Sequence, residues 1–188
     1  MTPERTAAFS DGVFAVAITL LVLNLHGPAP GEPIGALLHE EAAALLLFVA
    51  SFFIVGIKWM NHHAMFRHIR RVDNPLLLLN LLLLLGVTAV PFTTVLLAGY
   101  IGTPFAAQAA LVYAGVWTFN GIVWTLVWWY ASTHGCIDAA DGAQNRSRLL
   151  LYALGPLGYL AGGVLAFANV YAAIAVFLGT ALLYAAPT

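Results

Sequence analysis

"FSDGVFAVAITLLVLNL", residues 9–25, decides the fold. Beyond Asp11 the stretch has no further ionisable side chain. As a helix, at about 1.5 Å per residue, it rises roughly 25 Å, close to the hydrocarbon thickness of a bilayer. It is too long and too rich in Leu and Val for a signal peptide, and no small-x-small cleavage site follows it, so it reads as a retained span. A carboxylate at the front of such a helix is expensive and needs a partner or a task.

The rest of the chain agrees with a membrane setting. Of its 188 residues, 62% are hydrophobic and 8% charged, with a mean hydropathy of +0.90. Soluble domains carry about 25% charged residues, so this chain lacks the polar surface to face water all round. A net charge of -1 argues against a nucleic-acid partner. The single cysteine, Cys136, excludes an intramolecular disulfide framework and offers no thiolate metal site.

Six apolar runs have the length of spans: 9–25, 42–60, 76–97, 105–130, 149–167 and 170–186. The expected fold is therefore all-α, one six-helix transmembrane domain over 1–188. Little more than Asn169 separates the last two runs, which predicts a tight helical hairpin. Pro91 and Gly155–Pro156 should bend the spans that contain them. Trp124, Trp128, Trp129 and Tyr130 suggest an interfacial aromatic belt. All seven basic residues (Arg5, Lys58, Arg67, Arg70, Arg71, Arg146 and Arg148) lie on or next to one side of a six-span topology. The first opposite loop carries Glu32, Glu40 and Glu41. The positive-inside rule puts both termini in the cytoplasm, and the expected location is the plasma membrane.

Enzyme chemistry finds no support: Ser10 has no base in its own segment, no two carboxylates share a span, and Asp138 and Asp141 sit in a loop. Walker and dinucleotide glycine patterns are absent. In "KWMNHHAMFRHIRRVDNP" the adjacent His62 and His63 point in different directions on a helix, and His68 sits among arginines, so no metal site is expected. The arginines suit anionic head groups. Asp73-Asn74-Pro75 reads as a helix break and restart, and Asn80 as a buried amide bonded to another helix.

At about 100° per residue with Val16 at zero, Gly12, Thr19, Leu23 and Leu20 fall within roughly 60° of it, whereas Ser10 and Asp11 lie more than about 100° away. One face thus carries a narrow stripe with one hydroxyl. The other carries Ser10 and Asp11, for which Arg5, His62, His63 and Asn80 are the available partners. Asp11 either staples the first helix to the second and third, or handles ions itself.

Arg5-x-x-x-Phe9-Ser10-Asp11 resembles the R-x-x-x-F-S-D signature of the transmembrane protein 175 family, in its bacterial branch. "GVFAVAITLLVLNL" is similar to that family's first helix, and "WMNHHAMFRHIRRVDNPLLLLNLLLLLGVTAVPF" to its second-to-third-helix region. The resemblance implies a potassium-selective or potassium-preferring channel: a homotetramer around a central pore lined by the first helix, with no TVGYG filter. It implies aliphatic rings at Val16 and Leu23, a hydroxyl at Thr19, potassium as permeant ion, and no cofactor. The family more often has Ile or Leu where this chain has Val16. The remaining alternatives are a proton-coupled transporter using Asp11 and the histidines, or a non-conducting scaffold.

Overall fold

The computed structural model describes residues 2–25, 30, 31, 35, 42–137 and 142–185. Among them, regular structure is helical apart from one isolated bridge, Ile69 with Ile137. Glu32, Glu40, Glu41, Asp138, Asp141 and the Arg146 side chain lie outside the described residues.

Helix α1 spans Pro3–Leu20, beginning six residues before the apolar run. Thr2 caps it: its side chain accepts the Arg5 N–H, Pro3 opens the first turn, and Glu4 complements the exposed amides. A hydropathy window cannot see such a polar cap. From Leu21 to Asn24 the helix tightens into a 3₁₀ turn. Helix α2 is Ala42–Phe66, 25 residues and about 37 Å long.

The run at 76–97 becomes two helices, α3 (Asn74–Thr88) and α4 (Val90–Tyr100). Pro91 is the cause, since it has no N–H and its ring opposes the carbonyl one turn earlier. The pair still runs on as one apolar stretch, Asn74–Tyr100, long enough to cross a bilayer. Helix α5 is Ala106–Thr133 and α6 is Gly142–Leu165, which contains Pro156. Helix α7, Val170–Leu182, starts at Asn169, whose side chain accepts the Tyr171 and Ala172 N–H groups. At 13 residues, α7 rises only about 20 Å. It is shorter than the run at 170–186, because the chain turns after Leu182 although the sequence stays apolar.

Glycine sets how closely α5 and α6 approach. A methyl group at Gly121 would lie 2.7 Å from Pro156 Cδ, and one at Gly163 would lie 2.7 Å from Ala114 Cβ. The packed face of α5 repeats at helical spacing through Tyr113, Trp117, Asn120, Trp124, Val127, Trp128 and Ala131. This corrects the aromatic-belt expectation. Trp124 and Trp128 are buried in the bundle, and only Trp129 of the three indoles is exposed. Trp128 packs edge-on to His68 and Tyr152, with the Arg148 guanidinium 5.4 Å from its ring centre.

Asp73 restarts the chain at α3. Its Oδ1 accepts the Leu76 N–H at 3.0 Å, and its Oδ2 accepts the Tyr130 hydroxyl at 3.0 Å. Arg71 stands 3.9 Å away. Burial alone would raise its pKa, but the Leu76 N–H, the Tyr130 hydroxyl and Arg71 outweigh it and hold the carboxyl below its ordinary value. Asp73→Ala is expected to cost about 1 kcal/mol as a lost cap, read as a thermal midpoint lower by roughly 2–4 °C at pH 7. A depressed carboxylate contributes stability above its unfolded pKa and loses it as pH falls through the folded one. The wild type and variant should therefore converge below about pH 4. Equal midpoints at pH 7 would show that the cap contributes nothing.

Candidate functional site

Helix α1 has two faces. Thr6, Ser10, Phe14, Ala17 and Leu21 recur every three to four residues and are buried against the bundle. Opposite them, Gly12, Val16, Thr19, Leu20 and Leu23 are all exposed. Val16 is 56% accessible and Leu23 71%, on the side of the helix away from the face packed into its own subunit. The Thr19 hydroxyl donates to the Val16 carbonyl at 2.9 Å, leaving its oxygen lone pairs outward. Leu23 lies on the 3₁₀ turn, where each residue advances about 120° instead of 100°. That shifts it around the axis from the angle a uniform α-helix gives, yet it stays on the open side.

Behind the stripe lies a buried polar chain. Asn80, one turn and a half into α3, meets His62 from α2 and Ser10 from α1. Asn80 Nδ2 donates to Ser10 Oγ at 3.0 Å, and Ser10 Oγ donates to the Thr6 carbonyl at 2.9 Å. Asn80 Oδ1 can only accept, so His62 Nε2 carries the hydrogen across the 2.9 Å contact between them. His62 is fully buried, stacked on Phe66 at 4.4 Å and beside Phe14 at 5.4 Å. Its Nδ1 has no partner, as suits a neutral ring in an apolar pocket.

Asp11 is not in that chain. Its Oδ1 accepts the Trp59 indole N–H at 2.8 Å. None of Arg5, His62, His63 and Asn80 bonds to it. The expected network therefore splits. Ser10, His62 and Asn80 form the buried core, and Asp11 pairs with α2 through Trp59. His63 is exposed, with its ring 6.5 Å from that of Trp59. Arg5 and Phe9 are exposed, on the open side of α1. Trp59 was legible as an indole one turn before His63, with an N–H that can only donate. Asp11 and His63 also edge a cleft of about 560 Å³ that includes Glu4, Arg67 and Arg70. Among the described residues, no three His, Cys, Asp or Glu side chains gather into a metal site. As an ensemble, the site can hold α1 rigidly on two helices while presenting one aliphatic stripe with the single hydroxyl oxygen of Thr19.

Residues 5–91 match the sequence profile of the family described as "Endosomal/lysosomal potassium channel TMEM175". The chain is 40% identical to a potassium channel of Streptomyces collinus over 161 residues, covering 82% of this chain and 78% of that one. It is 38% identical to a potassium channel of Chamaesiphon minutus over 187 residues, covering 96% and 92%. In three dimensions it is similar to the crystal structure of a lysosomal potassium-selective channel TMEM175 homolog from Chamaesiphon minutus. The TM-score is 0.87 at 36% identity, over 97% of this chain and 96% of that one.

Proposed function

Since the chain belongs to the TMEM175 potassium channel family, we propose that it is a potassium channel conducting passively through a central pore lined by α1. The observation that carries this reading is the open stripe of Val16, Thr19 and Leu23 on a helix whose opposite face is sealed into the subunit. One chain supplies one such helix and cannot enclose a pore, so symmetric copies must complete it. The family resemblance supports four of them.

The chemistry follows from the stripe. Hydrated potassium approaches, exchanges part of its water for the lone pairs of Thr19, and passes the rings of Val16 and Leu23, which close the path by dewetting when it narrows. No bound group takes part, and the mechanism requires no proton transfer. The whole chain, 1–188, serves as one six-span domain in the plasma membrane. Its arginine-bearing end and both termini face the cytoplasm, and lipid surrounds the outer helices.

Purified protein in liposomes tests the reading. An outward potassium gradient should drive flux with no proton gradient, and sodium should move more slowly. Flux that requires a proton gradient would replace the channel by a coupled transporter, and no flux under any gradient would leave only a scaffold.

Asp11 serves assembly in this reading, holding α1 to α2 through Trp59. Asp11→Ala should lower the yield of monodisperse protein on size exclusion, consistent with the loss of a charge-assisted bond of about 1.5–3 kcal/mol. Normal assembly with altered permeation alone would move Asp11 into the ion path.

A further inference from the structure

We infer that the cleft enclosed by α2, α5, α6 and α7 is a binding site for one anionic phospholipid, with Lys58 holding the head-group phosphate. The cleft lies on a different face of α2 from the one by which Trp59 and His62 meet α1. Its cavity, about 50 Å³, is walled by Ile54, Trp117, Trp124, Tyr152 and Tyr159. A water needs roughly 10–15 Å³ on this measure, so the space suits a phosphate-sized group.

Lys58 enters this wall with its Nζ 4.1 Å from the centre of the Trp124 ring. Among the described residues it has no ion-pair partner. Two of the described carboxylates are engaged elsewhere: Asp11 with Trp59, and Asp73 with Leu76, Tyr130 and Arg71. A lysine within a span normally pairs with an acid or snorkels to an interface. Here the ammonium lies over an aromatic face, which attracts the cation without neutralising it.

The cavity's orientation favours a lipid over a free anion. Lys58 and Trp124 sit towards the end of the bundle where Arg70 N–H bonds to Cys136 O, the end that carries the arginines. Trp117 lies two turns of α5 deeper, about 10 Å away, so the cleft runs from a cation inward along apolar wall. A free phosphate needs several converging donors to replace its water, and the unpartnered donors of this wall are the Lys58 ammonium and, two turns of α5 below Trp124, the Trp117 indole N–H. An amphiphile brings its phosphate to Lys58 while its acyl chains, too large for a cavity of about 50 Å³, stay in the surrounding bilayer and hold it there. A hydroxyl on the head group also has an acceptor. Asn61 Oδ1 is buried without a partner, while Asn61 Nδ2 is held by the Ile57 and Tyr184 carbonyls.

The test is thermal unfolding of delipidated full-length protein in neutral detergent, with phosphatidylglycerol, phosphatidylcholine or inorganic phosphate added. Phosphatidylglycerol should raise the wild-type midpoint by several degrees more than phosphatidylcholine, as a ligand of the folded state does. Inorganic phosphate should not. Lys58→Met should abolish the difference between the two lipids, and Lys58→Arg should keep it. Ala181→Leu, which fills the cavity wall and leaves the charge in place, should abolish it as well. Equal shifts from both lipids in the wild type overturn the proposal. So does a phosphatidylglycerol shift that survives Lys58→Met or Ala181→Leu, which would place the lipid on the surface arginines. A full shift from phosphate alone would make the site one for free anions. If Lys58→Met does not fold, the wild-type comparison and Ala181→Leu decide.

Discussion

Asn80→Ala is expected to cost this protein more than any other single truncation of its polar interior. The amide is the one group that touches both other helices of the buried chain, donating to Ser10 on α1 and accepting from His62 on α2. Removing it deletes two hydrogen bonds and leaves the His62 N–H without an acceptor in a fully buried pocket. In a soluble core each stranded polar group costs about 1–3 kcal/mol. Within a bilayer the figure falls, because helices separated in lipid also find partners and measured interhelical bonds average about 0.6 kcal/mol. The small cavity left by the side chain adds to the loss. A net cost of about 2 kcal/mol is the balance, read as a midpoint roughly 4–8 °C lower and a smaller monodisperse fraction. Ser10→Ala should cost clearly less, since Asn80 keeps its bond to His62. If Asn80→Ala unfolds like the wild type, the chain is an ornament of the packing and does not anchor α1.

Leu23→Ala should act in the opposite sense, leaving stability alone and opening the path. At 71% accessible, Leu23 packs little against its own subunit, so truncation removes few internal contacts. In the proposed pore, what it removes is girth in an aliphatic ring, and a wider, shorter apolar neck holds water more readily. A barrier lower by about 1.4 kcal/mol is a tenfold faster passage. Potassium flux into liposomes should rise by about that factor, with sodium rising at least as much because the narrow neck no longer sorts the ions. Leu182→Ala, an equally exposed leucine on α7, serves as the control and should change nothing. Unchanged flux in Leu23→Ala at normal assembly would remove Leu23 from the pore.

Much of this was legible without coordinates, for identifiable reasons. Helical spacing alone separates Val16, Thr19 and Leu23 from Ser10 on α1, and the structure keeps that division. Pro91 breaks the third span because a missing N–H and a ring clash are local facts. Asp73 and Asn169 cap helices by rules that act within three residues. What escaped depends on distance. Trp59 and Asp11 are 48 positions apart, and their pairing follows from how α1 leans on α2, which no periodicity encodes. Trp124 and Trp128 looked interfacial because tryptophan at a span's end often is. Their burial comes from α6 packing over them, with Tyr152 edge-on to both rings. The tightening at Leu21–Asn24 carries no Gly or Pro to announce it.

The buried chain has a further consequence, one of electrical insulation. Its donors all point the same way, from the imidazole through the carboxamide and the hydroxyl to the Thr6 carbonyl, where they stop. A relay passes protons only if each member takes one on one side and releases one on the other. A carboxamide does not do so near neutral pH, since its nitrogen is not basic and its oxygen holds a proton only in strong acid. The most conspicuous line of polar atoms in this subunit is therefore a dead end for charge. It lets a membrane protein hold hydrophilic groups in its interior without opening a leak beside the proposed ion pathway.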